Sequence, residues 1–142
     1  MKSRDNAATF DFGDLNSFPI PNCSKTIQSR MVEYIPGEVL SLAFPVKEEY
    51  TNPAGSMQGG FITAAFDNTF GPLCLMAAKT AMTTTLNLNT SYHRPIFPGD
   101  ELCVRAEVIT NGRTTIYMTA EARNLEGKLV ATANTTYIHV KR

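Results

Sequence analysis

Residues 50–78 carry one formal charge, Asp67, and it sits inside an apolar run. Phe61, Ile62, Ala64, Ala65, Phe66, Phe70, Leu73, Leu75 and Met76 surround it, the composition of a helix apolar on almost every side. Such a helix is expected to be buried. A carboxylate carried into it must be neutralised, paired or used, because an isolated buried charge is very costly. Just upstream lies a turn-rich stretch of Asn52, Pro53, Gly55, Ser56, Gln58, Gly59 and Gly60. A Gly-Gly pair at a helix start leaves N–H groups unpaired at the positive end of the helix dipole, and glycine lets a ligand approach the backbone. Together these residue types suit a base or nucleophile beside donors for a developing oxyanion. The plainer readings are a carboxylate paired with a distant arginine and a merely flexible helix entry.

The elements that must position these residues follow from periodicity. Residues 59 to about 79 have the length of one helix, about 30 Å at 1.5 Å per residue. Pro72, after Gly71, is expected to kink or end it. Before the loop, residues 31–35 and 39–44 read as short strands, with Pro36-Gly37 as a turn. After the helix, residues 83–92 alternate, with Leu86, Leu88, Thr90 and Tyr92 on one face and Thr85, Asn87, Asn89 and Ser91 on the other. Residues 101–109 and 115–122 alternate again around the hairpin signal Asn111-Gly112. A turn at Glu126-Gly127 leads into a last strand over 129–140. One long apolar helix with five or six antiparallel strands is a two-layer α+β domain, and a helix apolar all round asks for a strongly curved sheet wrapped about it. Residues 1–28, rich in Asn, Asp, Ser and Pro, read as a partly ordered N-terminal arm. Its apolar anchors are Phe10, Phe12, Leu15 and Phe18, and a short helix is expected near 24–30.

The totals limit the function classes. Thirteen basic residues balance thirteen acidic ones in 142, which gives no electrostatic case for binding nucleic acid. No apolar leader opens the chain and no run reaches bilayer-crossing length, so no membrane partner is expected. Cys23, Cys74 and Cys103 are odd in number and far apart, which favours reduced thiols and a cytoplasmic location. His93 and His139 have no partner at metal-ligand spacing, so no metal is expected.

The ordered set of motifs resembles the hotdog-fold acyl-CoA thioesterases, most closely the PaaI-like branch related to 4-hydroxybenzoyl-CoA thioesterase. The resemblance covers residues 30 to 140. Asn52, Gly55, Gln58-Gly59-Gly60 and Asp67 carry it, with support from residues 92–95, 99–100, 111–113 and 127–131. It implies a hotdog domain over 29–142 and hydrolysis of an acyl-CoA to free acid and coenzyme A, with coenzyme A entering only as part of the substrate and no separate cofactor. It further implies Asp67 as nucleophile or general base, with both routes open, and the Gly59 N–H as the group that polarises the thioester carbonyl. Asn52 and Gln58 are implied to orient substrate or water, with Gly60 beside them and Thr85 against the reacting group. Arg94 and Arg113 are candidates for the coenzyme A phosphates, since guanidinium suits bidentate phosphate contact. Many members carry His where this chain has Gln58, and a mechanism that needs an imidazole there is excluded. A non-catalytic acyl-CoA-binding protein and an enoyl-CoA hydratase or dehydratase are the alternatives.

Spacing adds a constraint to those roles. Gly59 and Asp67 are eight residues apart, so about 12 Å along one helix, and cannot both reach one thioester carbon. A two-fold partner could place its Asp67 opposite this chain's Gly59. A homodimer with two shared sites is therefore expected, assembled further as a dimer of dimers.

Overall fold

The computed structural model describes residues 17–80 and 82–139. The expected arm lies outside the described residues as far as residue 16, together with Phe10, Phe12 and Leu15. Its visible end forms a short helix, α1 (Asn22–Ile27), two residues earlier than the sequence suggests and closed by Gln28 in the left-handed region at φ 58°. Strands β1 (Arg30–Ile35) and β2 (Val39–Pro45) follow. The long helix α2 is Gly59–Ala78, and β3 (Thr83–Tyr92), β4 (Glu101–Asn111), β5 (Thr115–Arg123) and β6 (Leu129–His139) complete the chain. The six strands form one curved antiparallel sheet in the order β1-β2-β4-β5-β6-β3.

Three expectations are corrected. First, α2 does not end at Pro72 but stays helical across it, for 20 residues in all. The clash a proline imposes on its predecessor falls largely on the Cβ, and Gly71 has none. Second, α2 is long and apolar enough to cross a bilayer by length and composition, contrary to the reading that no run is. It serves instead as the core helix, with Ala65, Phe66, Phe70, Leu73 and Cys74 fully buried in the core. Third, within one chain the helix is buried on one side only. Gly60, Phe61 and Asp67 are exposed and Ala64, Asn68, Gly71, Pro72 and Leu75 half-buried, so the carboxylate lies on the open side rather than in the core.

The buried faces of β4, β5 and β6 follow the expected alternation, although register also shifts between Met31 and Glu33, Val108 and Thr110, and Ala122 and Arg123. Leu102, Val104 and Ala106 on β4 and Ile116, Met118 and Ala122 on β5 are buried. On β3 the pairing with β6 slips between Thr85 and Asn87, leaving Leu86 as the extra residue and 61% exposed. A bulge reverses the inside-outside sense of everything before it. Thr85, expected on the polar face, therefore shares a face with Tyr137, its cross-strand partner, while staying exposed. Leu86 is turned out.

Candidate active site

The start of α2 is held by a loop that braces itself and by contacts from Ile96 and Tyr92 further along the chain. Asn52 Oδ1 accepts from the N–H groups of Ala54 at 3.0 Å and Ser56 at 3.2 Å, and its Nδ2 donates to Ser56 Oγ at 3.1 Å. Gly55 closes this turn at φ 84°, a conformation glycine supplies cheaply. Met57 N donates to Ile96 O and Gln58 N to Tyr50 O, each at 2.8 Å, which fixes the approach to the helix. Phe61 and Ile62 then donate to the Gln58 carbonyl. The N–H groups of Gly59 and Gly60 have no protein acceptor among the described residues.

Space at the two glycines is tight for different reasons. A Cβ on Gly59 would lie 3.0 Å from the Tyr92 ring, and one on Gly60 would lie 2.9 Å from Gln58 Oε1. The Tyr92 hydroxyl donates to Gly59 O at 2.9 Å and lies 2.7 Å from Thr63 Oγ1, which in turn donates to Thr90 Oγ1 at 3.0 Å. The first turn of the helix is thus pinned to the end of β3.

Two turns further on, Asp67 has a different setting. Tyr137 donates its hydroxyl to Asp67 Oδ1 at 2.8 Å. Burial pushes the Tyr137 phenol well above its ordinary range; a hydrogen bond from Thr85 opposes this, and the Asp67 carboxylate adds to it. The phenol is therefore a committed donor, and Thr85, Tyr137 and Asp67 form a chain of bonds from strand to helix. No ion pair engages Asp67 among the described residues. On the other side, Ser24 donates to Asn68 Oδ1 at 3.0 Å, and Asn68 Nδ2 donates to Ala64 O at 2.8 Å. Asp67, Thr85, Tyr137, Asn68 and Ser24 share one cavity.

The structure thus groups the sequence candidates unequally. Asp67 and Thr85 come together; Asn52, Gln58, Gly59 and Gly60 form a second group that does not line the Asp67 cavity. Arg94 and Arg113 are both exposed. Arg94 N donates to Val130 O at the start of β6, while Arg113 precedes Thr114, whose carbonyl accepts from His139 N at the strand's end. The run of strand from Val130 to His139 separates these points by roughly 30 Å. Sequence reasoning missed Tyr137 as the partner of Asp67. The available signal was a phenol on the inward alternation of Ala133, Thr135 and Tyr137, all buried. It also missed Tyr92 as the support of the helix start.

Among the described residues no group of three or more His, Cys, Asp or Glu could hold a metal ion. What remains is a carboxylate with a fixed donor on one oxygen, and a helix start with free N–H groups.

Known proteins share this architecture. The sequence pattern of the Thioesterase superfamily matches residues 54–131. Acyl-coenzyme A thioesterase 13 of Homo sapiens is 28% identical over 102 residues, 71% of this chain and 72% of that protein. A phenylacetic acid degradation-related protein of Ralstonia eutropha JMP134 is 31% identical, with a TM-score of 0.77 over 87% of this chain and 95% of that one. PaaI of E. coli, from the phenylacetic acid degradation operon, superposes with a TM-score of 0.83 over 97% of this chain and 96% of that one; at 20% identity that likeness speaks for the fold.

Proposed function

The chain belongs to the Thioesterase superfamily, as a PaaI-like enzyme of hotdog fold, and we propose that it hydrolyses acyl-CoA thioesters at sites shared between two copies. The supporting observation is that Asp67 lines a cavity with its Oδ1 held by Tyr137, which leaves Oδ2 for the reaction. Oδ2 either attacks the thioester carbon, giving an acyl-enzyme anhydride that water then cleaves, or takes a proton from the attacking water. Both routes consume one water and release the acid and coenzyme A thiol. The carbonyl oxygen becomes negative on the way and is met by the Gly59 N–H, with Gly60 beside it. Gln58 orients substrate or water, and Asn52 acts through the loop it braces. Thr85 acts through Tyr137. No metal or separate cofactor enters, so a chelator is expected to leave the rate unchanged.

A site shared between subunits follows from the unbroken helix: Gly59 and Asp67 stay about 12 Å apart along it. Strand β3 supports the pairing. It is an unpaired sheet edge ten residues long, TTTLNLNTSY, without a charge or a proline. Natural sheets guard such edges with charges, prolines or bulges unless another chain pairs there; here only the bulge at Leu86 breaks the run. A two-fold partner at β3 sets Gly59 of one copy against Asp67 of the other. The same operation brings Arg94 of one copy and Arg113 of the other toward one site, to receive the phosphates. Pairs of such dimers complete the assembly. An active species sedimenting as a monomer would contradict this arrangement.

With all three cysteines unpaired, we place the enzyme in the cytoplasm; fewer than three titratable thiols in protein isolated without reductant would argue against it. The reaction is tested with a panel of short, long and aromatic acyl-CoAs scored by free-thiol release, on wild type and on Asp67→Asn. Release by wild type and its loss in the variant are expected; equal rates on every substrate would falsify the role of Asp67.

A further inference from the structure

The cavity that holds Asp67 extends along the open side of α2 to about 720 Å³, within the range of small-molecule sites. Its walls away from Asp67 are apolar, formed by Phe18, Ile20, Met31, Leu42, Pro72 and Leu75. Asp67 is the only charged side chain among its described lining residues. A substrate acyl group ending in its own carboxylate would therefore find no lysine or arginine among the described lining residues to receive it, and Asp67 would repel it.

We propose that this trough receives the acyl half of the substrate and selects uncharged hydrocarbon acyl groups of medium length, with residues 18–21 as the specificity-determining wall. The proposal rests on the reading of Asp67 as the hydrolytic carboxylate, since that places the thioester carbon at the polar end of the trough.

The wall is held in place. Ser24 Oγ donates to Asn68, the residue after Asp67, at 3.0 Å, and the Tyr50 hydroxyl donates to Thr26 O at 3.2 Å. Ile27 is only 5% exposed within the core. Pro19 and Pro21 each fix one backbone angle, and Pro21 is extended at φ −66°, ψ 154°. A segment stiffened and anchored in this way presents Phe18 and Ile20 at small entropic cost. Each substrate methylene buried against such a wall strengthens binding by up to roughly fourfold. Ile20 itself is 64% exposed, so a charge can replace it without disturbing the core.

The test measures kcat/KM for acetyl-, decanoyl- and succinyl-CoA on wild type, Ile20→Asp and Ile20→Leu, with binding of acetyl- and decanoyl-CoA followed by calorimetry. Wild type is expected to prefer decanoyl over acetyl by at least about tenfold, with succinyl poorest. Ile20→Asp should cut the decanoyl-to-acetyl ratio roughly tenfold, and Ile20→Leu should keep it. A variant that was only destabilised would lower both rates and leave the ratio alone. An unchanged ratio in Ile20→Asp, or a wild-type preference for acetyl or succinyl, overturns the proposal. If wild type hydrolyses none of the three but does hydrolyse an aromatic acyl-CoA, the proposal is overturned while the hydrolytic reading stands. If it hydrolyses no acyl-CoA at all, the hydrolytic reading falls and calorimetry decides the trough. Tighter decanoyl binding that Ile20→Asp weakens keeps it, and equal binding of acetyl and decanoyl overturns it.

Discussion

The two ends of the proposed chemistry sit on one helix and are built in opposite ways. At the start of α2, residues 52–60 make much of their own scaffold, with Ile96 and Tyr92 as outside supports: Asn52 braces the loop, Gln58 opens the helix, and free N–H groups supply the charge. Two turns on, Asp67 depends on Tyr137, seventy residues away in sequence. Each end has a tyrosine, but the two phenols do different work. Tyr92 donates to a carbonyl already placed by the helix, whereas Tyr137 donates to a free side-chain carboxylate that would otherwise rotate. Backbone dipoles come fixed by secondary structure; a side-chain charge has to be fixed by a tertiary contact.

This contrast sets an order of effects. Asp67→Asn removes the reacting group and is expected to lower kcat by about 10³-fold. Gly59→Ala keeps the N–H but drives a methyl to 3.0 Å from the Tyr92 ring, displacing the donor. A loss of roughly 10²-fold in kcat is expected, in the range of a missing oxyanion donor. Steady-state assays on the pair check both, and a Gly59→Ala enzyme as fast as wild type would remove the helix start from the mechanism.

Tyr137→Phe leaves the ring and loses one hydrogen bond to a charged group, so kcat should fall roughly tenfold with KM unchanged. Tyr92→Phe should cost no more than a few-fold, because the helix itself holds the Gly59 peptide. If the two tyrosine variants lose equally, the distinction between a fixed dipole and a positioned charge does not hold.

The smallest effect concerns Cys74, next along the same helix and fully buried. Burial raises its thiol from 9.0 to about 11. The folded state keeps a proton that the unfolded chain has released, so stability is complete below pH 9 and falls as pH rises toward 11. Thermal melts across that window should decline less steeply for Cys74→Ala than for wild type, by up to one proton's slope. Parallel declines would show that the thiol does not contribute.

How much of this was legible in the sequence follows the same division. The strands, the hairpin at Asn111-Gly112 and the helix start are encoded by neighbouring residues, and β3 and α2 begin where turn and alternation signals place them. The helix passing through Pro72 was not legible, because the relief comes from Gly71 and from packing on the sheet. Nor was the placing of Thr85 on the face of Tyr137. A single extra residue at Leu86 reverses the face, and alternation alone carries no sign of it. The bond between Tyr137 and Asp67 depends on β6 and α2 meeting across the fold, which local patterns do not encode. The residue types singled out Asp67 and the Gly59-Gly60 helix start, and the resemblance implied their particular roles; the structure supplied the group that holds Asp67.

The central claim is that one site takes its carboxylate from one copy and its N–H donor from another. Mixing Asp67→Asn with Gly59→Ala subunits, after dissociation and reassembly, tests it directly. In a mixed dimer one site has both groups intact and the other has both lesions. Half the dimers in an equal mixture are mixed, so the account predicts recovery of about one quarter of wild-type activity. Activity no higher than the mean of the two parent variants would contradict it.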